Sequence, residues 1–475
     1  MASPTRTYDL VIIGAGTAGL TAATAARTLG ARVALIEGRR TGGECTWTGC
    51  IPSKTLLAVA HRAHAARHDG QVGLSSAPVS VDFAAVMRHV RSTIERIYHE
   101  ESPDALRRQD IDVFEAFTTF RDPHHVTLSD GRVLGGRRFL ICTGAETIIP
   151  EAFRDLPCLT NESLFALDAL PGHLVIVGGG PVGAEMAQAF ARLGSQVTLV
   201  EAGQQLLPRD DAEAAALVAE TFRAEGITVR LGQAAVRGES TPDGMILTLA
   251  DGSAVTGTHV LLALGKRPHV DRLGLSAAGV HTQDGRLVLD AHMRTSQRHI
   301  LAAGDVTGGP QFTHYAGWQA FQTVRSALLP FSAKATRAVV PWTTFTEPEV
   351  AQAGMTERAA RERFGASAQV TRLPMSRADR AMTEGRPEGF MKLIHRPDGR
   401  LLGATLVGIH ASEMINDWVR VLEKNGRVWD AASAMRVYPS MGTANVILAT
   451  EQIQAQLNAG LLGRALRGLA RFTLR

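Results

Sequence analysis

Two of the four cysteines in this 475-residue chain, Cys45 and Cys50, stand five residues apart in GGECTWTGCIPSK, residues 42–54. A Cys-x4-Cys pair is not a zinc half-site here, because no second half-site exists elsewhere in the chain. A redox pair is the stronger reading. In an ideal helix, residues five apart differ by about 7.5 Å in height, whereas a disulfide wants Cα atoms roughly 4.4–6.8 Å apart. The segment must therefore leave regular helix between the sulfurs, and Gly49 permits it. Pro52, Leu56, Leu57 and Val59 predict a helix starting near Cys50, whose N-terminal dipole would stabilise a Cys50 thiolate. Cys45 is then the sulfur nearer the surface, placed to attack a substrate. Cys142 and Cys158 lie alone in apolar contexts and read as structural. Trp47, between the pair, either shapes the approach to Cys45 or packs on the surface.

A thiol pair needs an electron source, and the flanking elements supply a candidate. Residues 10–37 read LVIIGAGTAGLTAATAARTLGARVALIE and residues 174–201 read LVIVGGGPVGAEMAQAFARLGSQVTLVE. Each is a buried strand, a Gly-rich turn, an Ala-rich helix, a Gly stop and a second strand ending in Glu. The two match at a constant offset of 164: Gly14 with Gly178, Gly16 with Gly180, Gly19 with Gly183, Glu37 with Glu201. In such a unit the first glycine makes the tight turn, the second admits a pyrophosphate and the third lets helix pack on strand. The helix N-terminus faces the phosphates, and the terminal Glu accepts from ribose hydroxyls. Two sites imply two dinucleotides, and a flavin with a nicotinamide is the useful combination. Glu201 would repel a 2′-phosphate, and Ala202, Gly203, Gln204 and Gln205 offer no cation. NADH is therefore favoured, with NADPH the alternative if Arg209 bends back.

The motifs GAGTAG (14–19), GGECTWTGCIPSK (42–54), CTGA (142–145), GGGPVGAE (178–185) and LGKRP (264–268) continue through TSQRHILAAGD (295–305), FTH (312–314) and FTEPEVA (345–351). Over nearly its whole length the chain resembles the class I pyridine nucleotide–disulfide oxidoreductases, in the branch of mercuric reductase and dihydrolipoamide dehydrogenase. The resemblance implies an α/β fold with two Rossmann-like dinucleotide-binding domains plus an α+β C-terminal dimerisation domain. It implies FAD and NADH as cofactors, with electrons passing from nicotinamide through flavin to a Cys45–Cys50 disulfide. It makes Cys50 the flavin-proximal cysteine, Cys45 the interchange cysteine, and Lys54 the lysine near the flavin, paired with Glu185 beside the nicotinamide. Asp305 matches the residue at the ribitol, Thr143 and Gly144 a turn near the flavin, Ala116 a backbone contact at the adenosine end, and Gly265 a loop glycine beside NAD(P)H.

One departure changes the expected substrate. Disulfide reductases of this family carry His-Pro near the C-terminus, with a Glu shortly after. That His is supplied by the partner subunit of a homodimer as an acid–base group. Here Tyr438 precedes Pro439, and Thr443 stands for the Glu. Tyrosine, with a pKa near 10, is a poor base at neutral pH. Mercuric reductases are similar in having tyrosine there, but they add a vicinal cysteine pair near the C-terminus, and the last cysteine here is Cys158. The expected activity is NAD(P)H-driven reduction of a disulfide or thiophilic metal ion. The alternatives are a quinone or diaphorase-type reductase, dihydrolipoamide dehydrogenase, and a redox-sensing flavoprotein.

The remaining features bound the reading. A net charge of +4, with 5% aromatics and scattered cations, gives no case for nucleic acid. The run from Leu10 to Ile13 is too short for a signal peptide, and no window reaches a membrane span, so a cytoplasmic protein is expected. His61, His64 and His68 share a helix face with ligand-like spacing but read as a solvated basic face, so no metal site is expected. The expected domains are 1–150 for FAD, 151–269 for NAD(P), 270–340 as the returning FAD segment and 341–475 for dimerisation. The last stretch, LLGRALRGLARFTLR, spaces Arg464, Arg467, Arg471 and Arg475 three and four apart among leucines. Such a helix most commonly covers its protomer; it can also lie on an anionic membrane surface.

Overall fold

The computed structural model describes residues 7–68, 73–74, 78–330, 334–459 and 461–473. They fall into two compact units, one built from Met1–Gly178, Ala189–Val200 and Gln233–Arg337, the other from Gly179–Gln188, Glu201–Gly232 and Ala338–Arg475.

In the first unit a five-stranded parallel sheet runs in the order Ile300–Ala302, Phe139–Ile141, Leu10–Ile13, Val33–Glu37, Asp112–Glu115. Its strands are continuous apolar runs, such as LVII and VALIE, because a parallel sheet is covered on both faces. On one face lie the helices Thr17–Thr28 and Thr313–Leu328, meeting the sheet through Ala18, Ala22, Ala316 and Ala320. Alanine at these positions brings helix backbone close to strand. On the other face Tyr8, Phe120, Val126 and Phe139 join the core, with Thr118–Asp122, His125–Leu128 and Val133–Gly136 forming an antiparallel meander.

A second parallel arrangement in this unit sets His173–Val177 between Gln196–Glu201 and His259–Leu262. It packs through Val175, Val177 and Leu262 on Leu247 of an antiparallel three-stranded sheet. The chain leaves Val177 through the second Gly-rich turn into the helix Pro181–Leu193.

The second unit centres on a five-stranded antiparallel sheet, Trp342–Thr344, Glu349–Gly354, Leu401–Gly408, Phe390–His395, Gln369–Pro374. The Pro397-Asp398-Gly399 turn joins Phe390–His395 to Leu401–Gly408, as its composition predicts. The helix Ala411–Glu423 buries Trp418 completely, and its indole N–H donates to Asn445 Oδ1 at 2.9 Å on the helix Thr443–Ala459. Lys392, inside the sheet, reaches Asp211 and Glu213 at 2.8 Å and Glu357 at 3.1 Å. Removing one partner from so buried an ion pair typically costs about 3–5 kcal/mol.

The terminal helix Leu461–Thr473 differs from the commoner expectation. Leu466, Leu469 and Phe472 are 45%, 59% and 79% exposed, so it does not cover the protomer with these side chains. Arg475 lies outside the described residues.

Candidate active site

The first Gly-rich turn is built for close backbone approach. Gly14 adopts φ +101°, and a Cβ there would stand 2.3 Å from the Cys142 carbonyl oxygen. No other residue accepts both conditions. Gly19 lets the following helix sit against the Gly14 carbonyl, where a side chain would clash at 1.9 Å. Glu37 closes the unit: its carboxylate accepts the Ala15 N–H at 2.7 Å and the Arg39 N–H at 2.8 Å. A carboxylate has about four acceptor positions, so capacity remains for a ligand hydroxyl. Ala116, buried beside this acid, donates its N–H to the Glu37 carbonyl at 2.8 Å.

The cysteine loop is fastened directly to that turn. The Gly42 N–H donates to the Ala15 carbonyl at 2.9 Å, and Gly43, at φ +59°, approaches so closely that a Cβ would meet Gly16 Cα at 2.6 Å. A short helix, Gly43–Trp47, carries Cys45; the chain breaks at Thr48, φ −141°, and a long helix, Cys50–His68, begins at the second cysteine. A side chain at Gly49 would stand 2.9 Å from the Glu44 carbonyl oxygen. The two sulfurs are thiols, not a disulfide. Thr313, first residue of its helix, has Oγ1 3.2 Å from Cys50 Sγ and donates to Cys45 Sγ at 3.5 Å.

The hydrogen bond with Cys50, then burial, pushes the Cys45 thiol far above the ordinary range, with Thr313 and Thr17 acting in the opposite direction. The proton therefore rests on Cys45, while the N-terminus of the helix Cys50–His68 favours negative charge at Cys50. Lys54 lies one turn along that helix, half-buried. Burial raises the Cys142 thiol, and lifts Cys158 to about 11, which keeps both unreactive. Trp47 packs: its N–H donates to the Thr41 carbonyl at 2.8 Å, its ring meets Tyr98 edge-on, and the Arg40 guanidinium lies 4.7 Å above it. The rings of His64 and His68 lie tilted at 37° with centroids 4.3 Å apart on the same helix.

Three participants escaped the sequence reading. Thr313 sits inside FTH, but nothing local marks its hydroxyl as bridging two sulfurs. Glu44, next to Cys45, forms an ion pair with Lys266 and accepts from Asn161 Nδ2 at 3.2 Å. Burial lowers the Lys266 pKa and raises that of Asp305, and the charge of each opposes the shift of the other. Asp305 opens a short 3-10 turn just beyond the strand Ile300–Ala302. Thr143 Oγ1 donates to the His269 carbonyl at 2.6 Å, and Gly144, φ +70°, accepts from the His269 N–H at 3.1 Å. Gly265, φ +91°, has open space where a side chain would be.

The second turn repeats the first. Gly178 adopts φ +110° with a Cβ position 2.4 Å from the Ala263 carbonyl oxygen, and Gly180 faces open space. Glu201 accepts the N–H groups of Gly179 and Gly203, both at 2.6 Å. Gly183 and Glu185 lie on the helix after this turn, where buried Glu185 accepts the Phe345 N–H at 3.0 Å. Tyr438 is 68% exposed and donates its hydroxyl to Asp379 at 2.8 Å; that bond to a carboxylate raises its pKa.

Residues 8–320 match the family model of the pyridine nucleotide-disulphide oxidoreductases. The chain belongs to that family. Residues 340–447 match the dimerisation domain of the same oxidoreductases, which form homodimers. Dihydrolipoyl dehydrogenase of Bacillus subtilis (strain 168) is 30% identical over 444 residues, covering 91% of this chain and 94% of the relative. A mercuric reductase of Streptomyces lividans is 35% identical over 422 residues, covering 86% and 88%. Among solved structures, the HOCl-induced flavoprotein disulfide reductase RclA from Escherichia coli superposes with a TM-score of 0.84 at 30% identity, covering 93% of this chain and 99% of that one. This oxidoreductase is FAD-dependent and uses NAD(P)H. The residues present fit such groups: each turn leaves its backbone uncrowded at the second glycine, Gly16 or Gly180, and is braced by a carboxylate with spare acceptor capacity. No helix among the described residues is long and apolar enough to cross a membrane.

Proposed function

We propose that this oxidoreductase reduces a thiophilic metal ion at the Cys45–Cys50 dithiol, using NADH in preference to NADPH, in the cytoplasm. FAD, when bound, relays two electrons from NAD(P)H to the cysteine pair. In the acceptor half of the cycle the dithiol loses two electrons and two protons and closes to a disulfide. One Hg(II) accepts both electrons, or two Cu(II) ions one each. Reopening consumes one NAD(P)H and one proton.

The observation that carries this reading is Tyr438. Its hydroxyl is already committed to Asp379 and, with its raised pKa, stays protonated at any physiological pH. It cannot accept the proton that a disulfide substrate's thiols exchange, whereas a metal ion requires only sulfur ligands. Copper(II) complexes of the RclA reductase have been solved, which makes Cu(II) the first ion to try.

The work is divided among the residues. Gly14, Gly16, Gly19, Glu37, Ala116, Thr143, Gly144 and Asp305 hold FAD, with Lys54 at its reactive edge. Gly178, Gly180, Gly183, Glu201 and Gly265 hold the nicotinamide dinucleotide, with Glu185 beside its reactive end. Cys50 receives electrons and Cys45 delivers them, and Tyr438 reaches the site from the partner subunit. The domains keep the division 1–150, 151–269, 270–340 and 341–475.

The test is anaerobic NADH oxidation by the FAD-loaded dimer with Cu(II), Hg(II), glutathione disulfide, lipoamide and a soluble quinone offered separately. Metal turnover that vanishes in Cys45→Ser is expected. Quinone turnover that survives Cys45→Ser, without metal turnover in the parent, would replace this reading with a flavin-only reductase. Robust lipoamide turnover would overturn the role given to Tyr438.

A further inference from the structure

The terminal helix Leu461–Thr473 divides sharply by side-chain type. At 100° per residue, Phe472, Leu469 and Leu466 span an arc of about 120°, and Arg464, Arg467 and Arg471 fall in a narrower arc roughly opposite. All six are exposed. The helix touches the rest of the chain at its start, where Arg467 donates to the Leu457 carbonyl at 2.8 Å and Gly463 lies against the same residue. The match to the family's dimerisation domain stops at residue 447, so this segment lies outside the matched residues.

Its charge is as one-sided as its shape. No Asp or Glu follows Glu451, and the four arginines at 464, 467, 471 and 475 equal the whole net charge of +4. Without them 46 basic side chains face 46 acidic ones. The body of the chain is neutral and its end is a cation.

We propose that this helix docks the enzyme on an anionic lipid surface, lying in the interface plane with Phe472, Leu469 and Leu466 in the acyl boundary and the arginines among the headgroups. A nucleic acid would satisfy the arginines but leave three large apolar side chains in water. A lipid surface uses both faces. Thirteen residues make a helix about 20 Å long, short of the roughly 30 Å hydrocarbon core, so the helix lies on the bilayer and does not span it. The inference is independent of which acceptor Cys45 reduces.

Cosedimentation of the FAD-loaded full-length enzyme with phosphatidylglycerol vesicles, with phosphatidylcholine vesicles and with duplex DNA tests the proposal. Binding to phosphatidylglycerol at least tenfold tighter than to phosphatidylcholine is expected, weakening several-fold between 0.1 and 0.5 M salt as charges are screened. Leu469→Glu with Phe472→Glu, and separately Arg464→Glu with Arg471→Glu, should each abolish it while NADH oxidation in free solution stays unchanged. These side chains are exposed, so folding is not at stake; circular dichroism and flavin content verify that. Absence of vesicle binding by the parent enzyme overturns the proposal. So does vesicle binding indifferent to both variants. Preference for DNA over vesicles also overturns it, as does an oligomer larger than a dimer that the Leu469→Glu, Phe472→Glu variant dissolves, since the apolar face would then belong to a second copy of the chain.

Discussion

The two Gly-rich turns are the same structure twice, down to individual hydrogen bonds. The Gly14 N–H donates to Ile36 and the Gly178 N–H to Val200, both at 2.8 Å. The carbonyl of Ile13 accepts from Cys142 at 2.7 Å and that of Val177 from Ala263 at 2.8 Å. Each terminal glutamate ties the residue after the first glycine to the residue two beyond itself. A returning loop then caps each turn, through Gly42 onto Ala15 at 2.9 Å and through Leu207 onto Gly179 at 2.8 Å. Only the content of that loop differs. The first returns as Gly43–Trp47, carrying Cys45 and leading to Cys50; the second returns toward Asp210 and Asp211 and carries no cysteine. The cysteines enter one copy of a duplicated turn through the segment after its capping residue, with the turn itself unaltered.

The comparison can be broken most severely at its first glycines. Gly14→Ala places a methyl group 2.3 Å from a carbonyl in a left-handed backbone, so it should yield protein with little or no bound flavin, read from the visible flavin absorbance. Gly178→Ala meets the equivalent clash at 2.4 Å, yet should retain its flavin and lose NADH-driven turnover by more than a hundredfold. If both variants lose flavin alike, the turns are not independent devices.

The glutamates give the next effect. Glu201→Gln keeps one acceptor oxygen where two N–H groups now bind, and losing one charge-assisted bond costs about 1.5–3 kcal/mol. The KM for NADH should rise roughly 10- to 100-fold, and the preference for NADH over NADPH should narrow. In Glu37→Gln the corresponding loss should fall on flavin affinity, leaving the KM for NADH within about twofold.

Thr313→Val sharpens the difference between the loops, since its hydroxyl contacts both sulfurs of the cysteine loop. Thr313 lowers the Cys45 pKa, so its removal raises that pKa further. The rising limb of the pH–rate profile for acceptor reduction should move to higher pH, costing a similar several-fold factor at pH 7 and at pH 9, since both lie below that raised pKa. A profile shifted downward would exclude this positioning role. Tyr438→Phe should have the smallest effect, under twofold with a metal ion as acceptor. Because a raised pKa keeps the Tyr438 hydroxyl protonated, its bond to Asp379 persists below the ordinary tyrosine range and is lost only as pH climbs above it. No difference between Tyr438→Phe and parent should therefore emerge between pH 6 and 9.

The repeat was legible in the sequence because its constraints act on backbone. A residue that must hold φ near +100° against a carbonyl can only be glycine, and a carboxylate spanning two N–H groups recurs at a fixed distance from it. The break between the cysteines was legible for the same reason, through Gly49. Thr313 and the Glu44–Lys266 pair were not, because ordinary residue types meet there across more than 200 positions of sequence. Trp47 could equally have shaped an entrance; Tyr98 and Arg40, which settle its packing, are distant or unremarkable in the sequence. The terminal helix shows the opposite limit. Its two faces were plain in the spacing of arginine and leucine, but periodicity states which side is apolar and not what that side rests on.

Gly43 against Gly16 has a mechanical meaning. Two backbones touch there with no side chain between them, so the joint between the first Gly-rich turn and the cysteine loop has no compliant part. A side chain would act as a spring, absorbing a few tenths of an ångström by rotating. Bare backbone cannot. Whatever tightens or loosens the turn is handed to the cysteine loop undamped, and the first half-turn of the loop is effectively part of the turn itself.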